Sequence, residues 1–144
     1  MLQKCSIMRV ADVFFLEPTK THYLKEISMK SSLAHTSVKN YIEILKKQGI
    51  IYEDIESKGK RRFPLYMANK KSDSYKRQKT ISNLIDIFNS GLVDHIRDSC
   101  MPNSIILFGS YSRGEDIEDS DIDLFVEAKE QLLDVKKFEA ILNR

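Results

Sequence analysis

The chain has 144 residues, of which 42% are hydrophobic and 31% are charged, and its formal net charge is +2. This composition is typical of a globular protein with one ordinary domain or two small ones, and neither Pro nor Gly is abundant enough to suggest a disordered chain. The longest apolar runs, VFFL and IILF, are too short to span a bilayer, and the N-terminus lacks the apolar core of a signal peptide. Cys5 and Cys100 are isolated in sequence. We therefore expect a cytoplasmic protein that makes no membrane contact.

The small net charge conceals two halves of opposite sign. Residues 1–80 hold 17 Lys and Arg against 8 Asp and Glu, a net of +9, whereas residues 81–144 hold 6 against 13, a net of −7. This asymmetry favours a first half that binds a polyanion and a second half that binds cations. Two unrelated solvated surfaces would give the same totals, so that alternative stays open.

The first half predicts three helices followed by a hairpin. The stretch SIMRVADVFFL has apolar residues at helical spacing before Pro18, and YLKEISMK is a short second helix. The third helix follows SSLAH, with Thr36 or Ser37 as its N-terminal cap and Gly49 at its end. After Gly49 the apolar period falls to about 2, and two extended segments flank SKGKRRF, where Gly59 permits the turn.

This order of elements resembles the winged helix-turn-helix of bacterial and archaeal regulators, over about residues 1–69. The resemblance implies that the third helix enters the major groove of double-stranded DNA and that the wing contacts phosphates. The candidate DNA-binding residues are Thr36, Ser37, Lys39 and Asn40 on the helix, and Lys58, Lys60, Arg61 and Arg62 on the wing. Since such regulators often read paired half-sites, we expect a homodimer. A winged helix used for protein contacts is the alternative.

Residues 70–101 predict a helical connector. A residue from Ser72 to Ser74 is expected to start it, Gly91 interrupts it, and a second helical segment follows before Pro102. The residues expected to form the apolar face of the first segment are Ile81, Leu84, Ile85 and Phe88.

The stretch GSYSRGEDIEDSDIDLFV, residues 109–126, admits several interpretations. It lacks the Lys-Ser/Thr of a Walker-type phosphate loop. Asp119, Asp121, Asp123 and Glu130 match the calcium-ligand spacing of an EF-hand, but Leu124 stands where that loop needs glycine. A purely structural acidic loop stays open.

The remaining interpretation takes the stretch as a strand, a turn and a second strand. SIILF is the first strand, and Gly109 and Ser110 open a turn into a short helix. In DIDLFV, Asp121 and Asp123 are two apart and are expected on one strand face, where carboxylates suit Mg²⁺. The other carboxylates are expected to be solvated; they are Glu115, Asp116, Glu118 and Asp119.

The run LFGSYSRGEDIEDSDIDLFV resembles the polymerase-beta-like nucleotidyltransferases, in particular their minimal branch, over residues 104–127. The resemblance implies a small α/β domain with a mixed sheet that binds ATP or another nucleoside triphosphate. Gly109, Ser110 and Arg113 would contact the nucleotide, with an ion pair as the alternative for Arg113. Asp121 and Asp123 would be the catalytic and metal-binding carboxylates of a two-Mg²⁺ centre. The minimal branch includes antitoxins that transfer AMP to a partner toxin, which suggests a protein acceptor.

The family usually has a third carboxylate on a later strand. The helix predicted over KEQLLDVKKFEAILNR, with its apolar side chains buried, leads to no such strand before Arg144. We therefore expect a two-domain α/β (α+β) protein: a winged helix-turn-helix over 1–69, a connector over 70–101 and a short nucleotidyltransferase domain over 102–144. It either transfers a nucleotidyl group to a protein or a small molecule, or acts as a regulator whose degenerate domain senses nucleotide or docks a partner.

Overall fold

The computed structural model describes residues 3–144, which fold into seven helices and two small antiparallel sheets, an α+β arrangement. The elements of the first half are α1 (Ser6–Leu16), β1 (Thr21–His22), α2 (Leu24–Ser31), α3 (His35–Lys47), β2 (Ile51–Lys58) and β3 (Arg61–Ala68). Those that follow are α4 (Asp73–Ser90), α5 (Leu92–Cys100), β4 (Ser104–Phe108), α6 (Gly109–Ser112), β5 (Asp123–Glu127) and α7 (Lys136–Leu142).

The three predicted helices of the first half are present, and they pack around one core. Val10 and Phe14 of α1, Ile27 of α2, and Val38 and Ile42 of α3 are all buried in it. These positions recur at the helical spacing seen in the sequence, because burial of one apolar face stabilises each short helix.

The strand β1 was not predicted, since two residues carry too little pattern to show a period. It pairs with the end of β3, so that the sheet order is β1-β3-β2, with all neighbours antiparallel. The predicted hairpin turn is confirmed: Lys58 lies opposite Arg61, and Gly59 has a φ of +62°. A positive φ of this kind favours glycine, as two-residue hairpin loops require.

The helix α3 begins earlier than predicted. Its first residue is His35, and Ala34 occupies the capping position without a side-chain hydrogen bond, so Thr36 and Ser37 lie inside the first turn. The extended backbone of Ala34 leads directly into the helix, and its carbonyl accepts the first helical bond from Val38 N at 3.0 Å. At the other end the helix terminates before Gly49, as predicted, with Gly49 at a φ of +71°.

The long helix α4 starts within the predicted range 72–74 and ends before Gly91 as predicted, but its buried face is different. Ser72 accepts a hydrogen bond from Tyr75 N at its start, and Gly91, at a φ of +80°, separates it from α5. Ile81, Leu84 and Phe88 are instead 48%, 39% and 63% exposed. The buried residues of α4 are Tyr75, Lys79, Ser82, Asn83 and Ile87. Polar partners from distant segments satisfy this face, which hydrophobic spacing alone does not reveal.

The last part of the chain forms a second, smaller core. Leu92 and Ile96 of α5 and Phe138 of α7 are buried, and β4 and β5 pack their inward side chains against them. Within residues 3–144 the sheet holds only the antiparallel pair β4-β5, not the mixed sheet that was expected, because residues 109–122 fold back to bring β5 antiparallel to β4. The predicted C-terminal helix begins only at Lys136; Leu132 and Ile141, expected to be buried, are exposed.

The helix α4 packs against both halves of the molecule. It contacts α1 on one side and α5, α6 and α7 on the other. Tyr75 donates a hydrogen bond to the carbonyl of Phe14 over 3.1 Å, and Asn83 donates to the carbonyl of Tyr111 over 2.9 Å. The two halves also contact each other without α4, because Thr19 donates hydrogen bonds to Glu118. The predicted domain limits at residues 69 and 101 stay predictions.

Candidate functional site

The glycine that follows β4 lies directly against a carboxylate of β5. Gly109 has a φ of +74°, and a Cβ added there would overlap Oδ2 of Asp123 and lie 3.0 Å from its Cγ. In the β4-β5 ladder, Phe108 is the register partner of Asp123, so the last residue of β4 lies beside the first residue of β5. A side chain at position 109 would therefore push this carboxylate aside, and the positive φ disfavours it as well.

The two aspartates of the DID motif have different settings. The strand β5 begins at Asp123, two residues later than predicted, because β4 ends at Phe108 where Gly109 turns the chain into α6. Asp123 is half-buried, whereas Asp121 is exposed and lies at the rim of a cavity of about 390 Å³ with a mostly apolar lining. Neither carboxylate has a hydrogen-bond or ion-pair partner within the described residues 3–144. Both are thus free to accept a cation.

The serine of the motif lies in the one-turn helix α6, as the predicted strand-turn-helix order requires. Ser110 is half-buried, and its carbonyl accepts hydrogen bonds from Arg113 N at 3.1 Å and Glu115 N at 3.0 Å. A cavity of about 920 Å³ opens near α1 and the C-terminus, but Gly109, Ser110 and Asp123 do not line it. The three motif residues instead occupy an open end of the β4-β5 sheet.

The arginine of the motif is engaged in an ion pair. Arg113 Nε donates to Glu115 at 2.9 Å, and Lys76 of α4 donates to the same carboxylate at 2.8 Å. The hydrogen bond from Lys76, then that from Arg113, lowers the pKa of Glu115 to about 2. Gly114 packs against α4, where an added Cβ would overlap the carbonyl oxygen of Lys76. The RG pair therefore docks this loop onto α4.

Two carboxylates expected to be solvated are structural instead. Asp116 is 1% exposed and forms ion pairs with Lys79 at 3.2 Å and Arg144 at 2.7 Å. Glu118 accepts hydrogen bonds from the backbone N–H and the hydroxyl of Thr19, at 3.1 and 2.9 Å. Sequence reasoning missed both. Their partners lie far away in the chain, and nothing in the local sequence distinguishes the buried acidic residues of this run from the exposed ones.

A third carboxylate does not join Asp121 and Asp123 within the described part of the chain. Among residues 3–144, the group of three potential metal ligands that lie close together is Glu17, His22 and Glu26, in the first half. Sequence reasoning passed over these three residues, since their spacing matches no metal motif.

The predicted DNA-binding residues lie on exposed parts of α3 and the hairpin. Thr36, Lys39 and Asn40 are exposed on the first turns of α3, and Ser37 is half-buried. Lys58 is held by Glu56 and Tyr23, and the hydrogen bond with Tyr23, then that with Glu56, raises its pKa.

Three wing cations remain available to an external anion. Lys60, Arg61 and Arg62 are exposed, and none of them has an ion-pair partner within residues 3–144. They surround the tip of the β2-β3 hairpin and follow one another in sequence. This cluster is the largest concentration of unpaired positive charge that the wing offers.

Comparison with protein families matches residues 93–144 to the nucleotidyltransferase domain. The matched region contains β4, α6, β5, α7 and most of α5, and thus the Gly109–Asp123 contact. No curated protein matches the chain. Within residues 3–144, the helices are too short or too polar to cross a membrane.

Proposed function

We propose, from the match of residues 93–144 to a nucleotidyltransferase domain, that this chain binds a nucleoside triphosphate with Mg²⁺ at the open end of the β4-β5 sheet. The observation that carries the proposal is the Asp123 carboxylate held against Gly109 without a protein partner. A carboxylate without a protein partner can bind a cation, and its hard oxygens suit Mg²⁺.

The side chains at this position suit magnesium. Asp121 and Asp123 offer hard oxygen ligands, and neither is occupied by a lysine or arginine among residues 3–144. Mg²⁺ bound there would neutralise charge on substrate phosphates. Gly109 lets the Asp123 carboxylate lie against the backbone at the end of β4, and Ser110 supplies a hydroxyl. Arg113 would contact a phosphate only by giving up its pair with Glu115.

Two uses of the bound nucleotide are compatible with this site. In the first, a nucleotidyl group passes to an acceptor hydroxyl on a protein or small molecule. In the second, the domain only senses nucleotide or docks a partner. The lack of a third carboxylate near Asp121 and Asp123 among residues 3–144 favours the second, because no additional base stands ready to take the acceptor's proton.

Calorimetric titration of the full chain with ATP, with and without Mg²⁺, tests the site. We expect Mg²⁺-dependent binding that falls at least about tenfold in Asp123→Asn, since a charged metal ligand is lost. Asp119→Asn is the matched control, because Asp119 is exposed and has no described partner. Equal losses in both variants would refute the proposal. Incubation with ATP labelled in the α-phosphate then separates transfer from sensing.

A backbone variant tests the same geometry independently. Gly109→Ala places a methyl group where the Asp123 carboxylate lies, and should reduce Mg²⁺-dependent ATP binding as much as Asp123→Asn does. Circular dichroism checks that the variant folds, as the strained φ adds about 1–2 kcal/mol. Undiminished nucleotide binding by folded Gly109→Ala would show that binding does not depend on the contact between Gly109 and Asp123.

We propose further that residues 6–68 form a winged helix-turn-helix that binds double-stranded DNA. Three features support this: the element order α1-β1-α2-α3-β2-β3, the sheet order β1-β3-β2, and the exposed residues on α3 and the wing. Unpaired cations at the hairpin tip suit phosphate contacts, whose affinity falls with salt.

The salt dependence of duplex binding, followed by fluorescence anisotropy, tests this assignment. Removing Lys60, Arg61 and Arg62 together should lower the slope of log K against log salt by about 0.9 for each DNA phosphate that the wing no longer neutralises. The double variant Lys70→Ala and Lys71→Ala is the control, since both lysines are exposed but lie beyond β3. A slope equal to that of the wild type would remove the wing from the interface.

A further inference from the structure

A fully buried histidine of the first half has a ring nitrogen that forms no well-aligned hydrogen bond within the described residues. His22 of β1 is 0% exposed and packs edge-on against Phe14, with ring centroids 5.3 Å apart. The nearest polar atom to its Nε2 is the carbonyl oxygen of Glu17, at 3.5 Å. Its Nδ1 forms no hydrogen bond of acceptable geometry within the described residues.

That free nitrogen faces two carboxylates. Nδ1 lies 3.3 Å from Oε1 of Glu26 and 3.9 Å from Oε2 of Glu17, and the three ligand atoms lie within 4.8 Å of one another. If Nε2 carries the ring proton toward the Glu17 carbonyl, the lone pair of Nδ1 points at negative charge. A proton on Nδ1 relieves this repulsion, and so does a metal cation that lies between the three groups.

The carboxylates of Glu17 and Glu26 already bind the ammonium groups of nearby lysines. The ammonium group of Lys30 contacts both carboxylates, with Glu26 at 2.7 Å, and Lys20 contacts Glu17 at 2.7 Å. Burial raises the pKa of Glu17 and Glu26, but other groups outweigh it. Lys20 and Lys30 hold the pKa of Glu17 below its usual value, and Lys30 together with His22 does the same for Glu26, so both carboxylates are ionised at neutral pH. Lys30 is 37% exposed, so its side chain can turn out to solvent.

We propose that Glu17, His22 and Glu26 form a binding site for one divalent transition-metal ion, with Zn²⁺ as the best match, and that the ion displaces the ammonium of Lys30. Imidazole nitrogen with two carboxylate oxygens is a ligand set that zinc accepts, and three protein ligands leave a fourth position for water. The Glu17 carbonyl beside Nε2 supplies the outer hydrogen-bond acceptor that metal-bound histidines commonly have. The ion would join the end of α1, β1 and the first turn of α2.

This proposal is independent of the nucleotide site and is tested with zinc itself. The full chain is freed of metal with a chelator and titrated with Zn²⁺ against a chromophoric competitor. We expect one tight site per chain, weakened at least about tenfold in Glu26→Gln, because a direct ligand is lost. Lys30→Gln removes the competing ammonium and should bind zinc more tightly than the wild type.

Two further measurements identify the ligands without destabilising the core. His35→Gln serves as the control, because His35 is an exposed histidine on α3 that would bind zinc adventitiously. Nitrogen NMR of the imidazole rings should show a shift at Nδ1 of His22 on adding Zn²⁺, with His35 and His95 unchanged. The proposal is overturned if the wild type binds no zinc, if Glu26→Gln binds as tightly, if Lys30→Gln binds no more tightly, or if His35→Gln abolishes binding.

Discussion

The buried charge cluster around Asp116 gives the sharpest prediction about stability. Asp116 is paired with Lys79 at 3.2 Å and Arg144 at 2.7 Å, and it accepts a hydrogen bond from Asn83 at 2.9 Å. The side chains of Asp116 and Lys79 are both 0% exposed, while that of Arg144 is 8% exposed. The substitution Asp116→Asn keeps the size of the side chain but removes its charge.

The expected loss follows from the burial of Lys79. At an effective dielectric constant of about 20, two unit charges at this separation attract by about 5 kcal/mol, part of which offsets their desolvation. Arg144 would keep its hydrogen bonds to the carbonyls of Ile117 and Glu118. The ammonium of Lys79 would keep only the Asp116 carbonyl as a close partner among residues 3–144. Removing one partner of a buried ion pair typically costs about 3–5 kcal/mol, and we expect Asp116→Asn to fall in that range.

Urea unfolding followed by circular dichroism measures this loss, since the chain has no tryptophan for fluorescence. The double variant Asp116→Asn with Lys79→Met should recover part of the stability, with a coupling free energy of about 1–3 kcal/mol. Asp119→Asn, an exposed change of the same kind, should stay within about 0.5 kcal/mol of the wild type. A loss below about 1 kcal/mol for Asp116→Asn, or a coupling near zero, would refute the reasoning.

Two further predictions concern the loop that docks onto α4. Gly114→Ala should destabilise the chain by about 2–3 kcal/mol in urea unfolding, because its Cβ would overlap the carbonyl oxygen of Lys76 and its φ is +65°; a neutral effect would contradict this packing. The lowered pKa of Glu115, about 2, means that its pairs with Lys76 and Arg113 stabilise the fold above about pH 4.5 and are lost as the pH falls toward 2. In Glu115→Gln the melting temperature should therefore depend less on pH between about 2 and 4.5 at low salt than it does in the wild type. An unchanged pH dependence would contradict the pairing.

The secondary structure around the nucleotide motif could be predicted from local sequence. The order of strand, glycine turn, short helix and strand was predicted from SIILF, Gly109 and DIDLFV, and the structure contains it. These features are local: a turn with positive φ requires glycine, and alternation within five residues marks a strand. The roles of Arg113, Asp121 and Asp123 in binding stay predictions.

Features that depend on distant partners were beyond the reach of such patterns. Three of the four residues of the apolar face predicted for α4 are exposed and Ile85 is half-buried, because Lys79 and Asn83 find their partners around Asp116. Spacing shows which residues share a helix face, but not which face meets the rest of the protein.

The sequence by itself determined the helices of the first half, the glycine-bounded turns and the resemblance of residues 104–127 to a nucleotidyltransferase. Each of these depends on backbone conformation or apolar spacing within a few residues. Only the tertiary structure decided which acidic residues of one loop are buried, and only it placed Glu17 and Glu26 around the free nitrogen of His22. An ionised side chain is stabilised when folding brings an opposite charge or a hydrogen-bond partner to it from elsewhere in the chain, and destabilised when burial leaves it without one. The order of charges along the sequence does not show which residues will be that close.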